Sequence, residues 1–278
     1  MVTRLGWSTH MKRPAHHLIW IAVAVISTLT GCATSPTGRK QLMVVSDQQM
    51  SQLGTQAFQE MGRKGKFANA PRQRAYATCV AKALIAVLPP KWRNQDWQVQ
   101  IIDEDSANAF ALPGGRIGVN KGMFKIATTQ DQLATVLGHE LAHVVARHGA
   151  ERVSDNMAVQ GAVLAGTLYG ASRGNDAGRT MAALGLGAEV GILLPFSRTQ
   201  ESEADILGQR YMAQAGFDPR AAVTLWQKMG QQGSKVPAFL STHPAPSQRA
   251  GKLQQQAQQL MPVYQQARAN GHAPNCRM

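Results

Sequence analysis

The sequence predicts an α+β protein, mainly α-helical, in which a small β-sheet lies beside a central motif helix. Hydrophobic residues make up 44% of the 278 residues but aromatic residues only 6%, which favours helices packed through small side chains over an aromatic-rich β-sandwich. Strand-like alternation is found between residues 97 and 120, whereas Ser/Thr-x-x-Gln capping signals introduce several helices. The length allows one good-sized domain or two small ones.

The first 31 residues predict a lipoprotein-type signal peptide. Three positive residues precede the mostly apolar run 18–30, which is shorter than the roughly 20 residues that span a bilayer. The run ends in Leu29-Thr30-Gly31-Cys32, which resembles a bacterial lipobox, so we expect Cys32 to be lipidated. Ala33 follows it, which implies sorting to the outer membrane. The alternative is a short N-terminal anchor helix with an incidental cysteine.

The remaining chain predicts a tether at 32–45, a folded domain at 46–262 and a C-terminal tail at 263–278. A Pro-Gly-Gly turn at 113–115 separates two predicted strands, and Gly149 is placed where a left-handed residue would end the motif helix. In chain order the predicted elements are helices 46–61 and 71–88, strands 97–102 and 116–120, the motif helix 129–149, a glycine-rich flap at 157–196, and helices 198–215, 219–229 and 246–260.

The motif His139-Glu140-Leu141-Ala142-His143 is the strongest chemical signal in the chain. Residues four apart share one face of a helix, so His139 and His143 would direct two imidazoles at one point. Imidazole nitrogen is a good ligand for Zn²⁺, and Glu140 lies beside the pair as a candidate general base. The pattern is typical of a zinc-dependent peptidase, but such a short motif also arises by chance.

A catalytic zinc needs a third protein ligand. His148 is one candidate, but the spacing of three-histidine sites fails, and it is interpreted as a cation at the C-terminal end of the motif helix. Glu201 is the other candidate. Asp205 lies four residues further on the same helical face, where it could accept the N–H of a ligating imidazole. Glu203 points away from this face and is expected to be exposed to solvent.

The other two cysteines allow two interpretations. Cys79 and Cys276 either pair in a disulfide that pins the C-terminal tail to the body, or are two unrelated thiols.

Lys and Arg exceed Asp and Glu by 13, but the positive residues are scattered and are not interleaved with aromatics. This disfavours nucleic-acid binding, whereas attraction to anionic membrane surfaces or acidic partners fits the charge.

Several separated motifs resemble one family. The motifs are the motif helix followed by Arg147-His148, the Glu-x-x-Ala-Asp run from Glu201, the stretch 108–115 and the segment Ser241-Thr242-His243-Pro244. Together they are similar to the HtpX/Oma/CaaX-prenyl-protease-like zinc metallopeptidases. The resemblance covers about residues 40–255. It implies a gluzincin-like metallopeptidase domain, and the predicted signal points to the soluble, periplasmic lipoprotein branch.

The resemblance implies a zinc metalloendopeptidase with one Zn²⁺ per chain that is lipid-anchored in the periplasm. Its substrates would be unfolded or misfolded envelope proteins, which it would cleave in protein quality control. Asn108, Ala109 and Phe110 would form an edge strand that binds substrate through main-chain hydrogen bonds, unless the strand is purely structural. The alternative function is a chaperone-like outer-membrane assembly factor that keeps the zinc site but has little peptidase activity. The intact Glu140 argues against that alternative.

His243 is expected to reach the zinc region. It would either act in catalysis by stabilising the oxyanion that forms during peptide hydrolysis, or occupy the open metal position and hold the enzyme inactive. The remaining alternative is a loop histidine that only fixes the following helix.

Overall fold

The computed structural model describes residues 32–171, 196–230, 238–243 and 249–278. The predicted signal peptide and most of the predicted glycine-rich flap therefore lie outside the described residues. Within the described part helices predominate, and a three-stranded sheet contacts the motif helix, which confirms the predicted fold class. Among these described helices, none is both long and apolar enough to cross a bilayer.

The described elements follow in this order: β1 (Cys32–Thr34), β2 (Lys40–Leu42), α1 (Asp47–Arg63), α2 (Pro71–Ala86), α3 (Pro90–Arg93), β3 (Gln98–Ile102), β4 (Ala109–Leu112), β5 (Arg116–Asn120), α4 (Met123–Ile126), α5 (Gln130–Val145), α6 (His148–Ala171), α7 (Arg198–Gln214), α8 (Ala221–Gly230), α9 (Ala238–Thr242) and α10 (Arg249–Ala269).

The N-terminal hairpin, defined here as residues 32–42, lies within the segment predicted as a tether. Its strands β1 and β2 pair antiparallel, with Ala33 opposite Gln41. Gln41 is buried and donates to the carbonyl of Ala146, 2.8 Å away, just beyond the end of α5. The hairpin therefore covers the C-terminal end of the motif helix.

The three-stranded sheet has the order β3-β5-β4. β3 and β5 run parallel, and β4 runs antiparallel to β5, so β4 is an edge strand. Phe110 on β4 lies over Gly118 on β5, where an added Cβ would come within 2.2 Å of the ring. The edge strand is thus held close to its neighbour while its other side faces the motif helix.

The motif helix α5 lies in the core, and each residue from Leu133 to Val145 is buried. Thr129 caps its N-terminus by accepting from the backbone N–H of Gln132 at 3.2 Å, as its hydroxyl predicts. The prediction for Gly149 was wrong, because the left-handed residue is Arg147 with φ 59° and Gly149 already lies in α6. An ion pair from Arg147 Nε to Asp47, at 2.6 Å, holds this side chain in the turn.

Two glycines let α5 and α7 approach each other closely. A Cβ added at Gly208 would lie 2.8 Å from the backbone carbon of Gly138 and 2.8 Å from the backbone nitrogen of His139. These are main-chain atoms of a buried helix, which cannot move aside cheaply. The close crossing places the histidines of α5 directly opposite the carboxylates of α7.

The C-terminal region is longer and more ordered than the sequence predicted. α10 does not end near Leu260 but continues through Pro262 to Ala269. Proline removes the hydrogen bond to the carbonyl four residues earlier, and here that carbonyl belongs to exposed Gln258, where water can replace the bond. After α10 the chain returns to the body, where Cys276 and Cys79 of α2 form a disulfide with Cα atoms 5.7 Å apart.

Candidate metal centre

Two histidines and a glutamate of α5 face the centre of the site. His139 and His143 are 2% and 3% exposed, and their Nε2 atoms lie 3.0 Å apart. The i,i+4 spacing on a regular helix produces this convergence. Glu140, also buried, lies beside them, and its Oε1 forms no hydrogen bond within the described part of the chain.

Glu201 approaches the same point from α7. Its Oε2 lies 3.3 Å from His139 Nε2 and its Oε1 lies 3.5 Å from His143 Nε2. A capping box at Ser197 starts α7, and Glu201 follows one turn later with a fully buried side chain. The structure thus brings together the three residues that the sequence predicted as ligands.

His243 completes the group. Its Nδ1 lies 2.9 Å from Glu201 Oε1 and 3.3 Å from His139 Nε2, and its Nε2 lies 3.3 Å from Glu140 Oε1. One donor atom from each of His139, His143, Glu201 and His243 lies within 4.8 Å of the others. Imidazole nitrogens with one carboxylate oxygen form a donor set that Zn²⁺ prefers, so these residues fit a zinc ion.

Other side chains hold the donors in place. Asp205 Oδ1 lies 3.0 Å from His139 Nδ1, as predicted from its spacing. Arg249, which no sequence motif predicted as part of the site, donates to Glu201 Oε2 and to Asp205 Oδ2 at 2.6 Å each. Its guanidinium also lies 3.9 Å from the ring centroid of Trp226. A single arginine at the start of α10 carries no local sequence signal that would have identified it.

His148 and Glu203 correct two predictions. His148 is not a cation at the C-terminal end of the motif helix: it is fully buried, burial lowers its pKa, and it lies 2.8 Å from His143, Nδ1 to Nδ1. Glu203 is 3% exposed rather than facing solvent, and its Oε2 lies 3.1 Å from His148 Nε2. The helical spacing correctly directed Glu203 away from Glu201, but distant segments of the chain cover that side of α7.

The protonation states of the three donors differ in the absence of metal. Burial lowers the pKa of His139, but Asp205 and Glu201 outweigh burial and raise this pKa to about 9. Burial holds the pKa of His143 well below its usual value. Burial by itself would raise the pKa of Glu201, but hydrogen bonds from the surrounding imidazoles outweigh it and keep this carboxylate ionised. Neutral imidazole and ionised carboxylate are the forms that ligate metal, so His143 and Glu201 are already in that form, whereas His139 must release a proton when metal binds.

A cleft of about 260 Å³ extends from the site along the edge strand β4. The cleft is lined on one side by residues 108–113 and on the other by apolar residues of α1, including Met50, Leu53 and Met61. Burial raises the pKa of Glu140 in this setting, and a hydrogen bond from the Ala111 amide on β4 opposes the rise. The edge strand and the buried glutamate therefore meet at the same place.

Fold and site together define the class of zinc-dependent metallopeptidases: a helix with paired histidines and a glutamate, a glutamate from a second helix, and an edge strand beside them. The chain belongs to peptidase family M48, whose family model matches residues 71–257. This match covers the sheet, the motif helix and α7.

Curated relatives agree with the family. The chain is 40% identical over 184 residues to the mitochondrial metalloendopeptidase OMA1 of Schizosaccharomyces pombe, which covers 65% of this chain and 52% of the relative. It is 39% identical over 177 residues to the Arabidopsis thaliana protein of the same name, covering 62% and 34%. It is 33% identical over 176 residues to the beta-barrel assembly-enhancing protease of Escherichia coli K12, covering 60% and 36%. The chain thus spans about half the length of these relatives or less.

Proposed function

We propose that the protein is a zinc endopeptidase in which His139, His143 and Glu201 hold the metal and Glu140 is the general base. The convergence of three buried donors beside a buried glutamate is the observation that carries this proposal. The carboxylate of Glu140 contacts the Ala111 amide and lies 3.3 Å from His243 Nε2, so it is held in the cleft beside the metal-facing donors, where a general base is needed. Asp205 holds His139 through Nδ1, which leaves Nε2 directed at the metal position.

Glu140 performs the proton transfers. A bound zinc ion supplies Lewis acidity, which polarises the scissile carbonyl and acidifies a water molecule. Glu140 takes the proton of the attacking water and returns it to the leaving amine. Burial raises the pKa of this carboxyl, which makes it a stronger base than an exposed glutamate.

Substrate would lie extended along β4, at residues Asn108, Ala109 and Phe110 and on toward Leu112. Main-chain hydrogen bonds to an edge strand give affinity with little sequence preference. The facing wall contributes Leu53 and Met61, so apolar side chains of the substrate would enter the cleft. Unfolded or misfolded proteins expose extended apolar segments of this kind, which supports a role in protein quality control.

Glu140→Gln tests the proposal. The variant should bind zinc with the stoichiometry of the wild type but lose nearly all cleavage of an unfolded protein such as casein. Glu60→Gln on α1 is the control, because the side chain of Glu60 is partly exposed and pairs with Arg63, outside the residues that line the cleft. Retained cleavage in Glu140→Gln would refute the assignment, and a wild type that binds zinc but never cleaves would favour the chaperone-like alternative.

We also propose that the protein is lipidated at Cys32 and acts in the periplasm, attached to the outer membrane. The positive N-terminal region, the apolar run and the lipobox-like sequence support this compartment. One relative is named for enhancing β-barrel assembly, which suits an envelope role for the substrates here. Mass spectrometry of the mature N-terminus tests the proposal, and an unmodified Cys32 in a chain still carrying residues 1–31 would reject it.

A further inference from the structure

A continuous set of contacts leads from the site to the N-terminal hairpin. His143 Nδ1 lies 2.8 Å from His148 Nδ1, and His148 Nε2 lies 3.1 Å from Glu203 Oε2. Glu203 Oε1 accepts from the hydroxyl of Thr37 at 2.7 Å, and its Oε2 accepts from Arg39 Nε at 3.1 Å. Each step is within hydrogen-bond distance, and His143, His148 and Glu203 are all buried.

Only one arrangement of protons satisfies these contacts together with a metal. Glu203 is ionised and accepts only, so His148 must carry its proton on Nε2. A neutral His148 then has a lone pair on Nδ1, which can only accept, so His143 must carry its proton on Nδ1. The Nε2 of His143 is left unprotonated and directed toward His139, Glu201 and the metal position.

Arg39 and Thr37 hold the outer end of this set. Glu203 is buried, and without a partner its charge would be costly to bury. Arg39 supplies the opposite charge, and its other nitrogens contact Glu151, with Nη2 2.7 Å from Oε2. Arg39 thus bridges two buried carboxylates, of which Glu203 contacts His148 and through it His143.

We propose that His148, Glu203 and Arg39 are positioning residues for the metal. Through them, the N-terminal hairpin fixes the proton of His143 on Nδ1 and the orientation of its ring. Asp205 positions the other histidine, His139, in the same way but through a direct contact with its Nδ1. The two metal-facing imidazoles therefore differ: one is held within the pair of helices, and the other depends on a hairpin more than 160 residues away in sequence from Glu203.

The proposal rests on His143 being a metal ligand, and zinc affinity measured by competition with a chromophoric chelator tests it. Glu203→Gln and Arg39→Ala should each weaken zinc binding, Glu203→Gln by about 10- to 100-fold, the range found for partners of metal-ligating histidines. Glu151→Gln is the matched control: it removes the other buried carboxylate on Arg39 but no contact in the set, and should keep wild-type affinity. Equal weakening in Glu203→Gln and Glu151→Gln, or none in Glu203→Gln, would overturn the proposal.

Two further measurements keep the test decisive. Thermal unfolding of the zinc-free variants should show similar midpoints for Glu203→Gln and Glu151→Gln, which separates lost affinity from lost folding. Nitrogen-15 NMR of the zinc-loaded wild type should show His148 protonated on Nε2 alone, and protonation on Nδ1 would refute the inferred arrangement. If the wild type itself binds no zinc, the proposed function fails; if it binds zinc and cleaves while Glu203→Gln behaves like the control, only the positioning role fails.

Discussion

The imidazole of His243 uses both ring nitrogens inside the site. Nδ1 lies with the metal-facing donors, 2.9 Å from Glu201, and Nε2 lies 3.3 Å from Glu140. A catalytic zinc keeps one position open, whereas four protein donors close the site. Of the two roles expected for His243, this arrangement favours the blocking one, because the side chain occupies the space beside the general base.

His243→Ala is therefore expected to raise peptidase activity, since it removes the fourth donor and frees Glu140. Steady-state cleavage of an unfolded substrate at saturating zinc measures the effect. Lower activity would instead assign oxyanion stabilisation to His243, and unchanged activity would reject both roles. Zinc content must be measured in parallel, so that a loss of metal is not taken for a loss of catalysis.

Glu151 makes the stability of the fold depend on pH. Burial by itself raises its pKa, but hydrogen bonds from Arg39, Gln200 and Gln41 outweigh burial and hold the pKa below its ordinary value of 4.5. A carboxyl whose pKa is lower in the folded state stabilises fully above the unfolded value. That stability is lost as pH falls through the folded value.

The difference in unfolding free energy between wild type and Glu151→Gln should consequently be largest at neutral pH and shrink below pH 4.5. Urea unfolding of the zinc-free proteins from neutral pH down to about pH 4 measures it. A difference that stays constant over this range would contradict the lowered pKa.

Residue spacing predicted much of the site but not its surroundings. His139, His143, Glu201 and Asp205 were identifiable because each pair lies four residues apart on one helix, which is a local property of the sequence. The burial of Glu203 was not predictable in this way, since Arg39 lies 164 residues earlier in the chain. Tertiary packing decides which distant segment covers a helix face, and the spacing of residues within the helix does not predict that segment.

The crossing of α5 and α7 is the element on which the site depends. The i,i+4 pairs on the two helices meet only because Gly138 and Gly208 allow the backbones to touch. Most boundaries of the predicted helices lie within a few residues of the structure, because the capping side chains and prolines that predicted them are also local signals, whereas α6 was not predicted as one helix. The N-terminal hairpin was missed, since strands of three residues are too short to show alternation.

Gly208→Ala should separate the two helices. The added methyl meets main-chain atoms 2.8 Å away, so we expect a loss of about 1–3 kcal/mol in stability together with weaker zinc binding. Gly161→Ala in α6 is the matched control, because no atom of the described residues outside its own stretch of helix lies within 4 Å of its added Cβ. That substitution should be neutral or stabilise by about 0.5–1 kcal/mol. Urea unfolding and zinc titration of both variants compare them, and equal behaviour would contradict the close crossing.

At the scale of the whole molecule, the site is assembled from segments far apart in the chain. Metal donors come from α5, α7 and the segment 238–243, and arginines that hold carboxylates of α7 come from the N-terminal hairpin and the start of α10. The donor set therefore exists only in the folded protein. Metal that binds only the folded state stabilises it by mass action. Folding and metal loading are thus expected to be coupled.

The disulfide between Cys79 and Cys276 spans 197 residues of sequence and encloses the motif helix, α7 and His243. A peptidase is also a target for its own activity, and a single self-inflicted cut anywhere between these cysteines would leave both fragments covalently joined. Nicked protein should migrate as one band on a non-reducing gel and as two after reduction, whereas nicked Cys276→Ser should already separate under denaturing conditions without reductant. Autolysis at one peptide bond would therefore change the connectivity of this chain without releasing any part of its metal site.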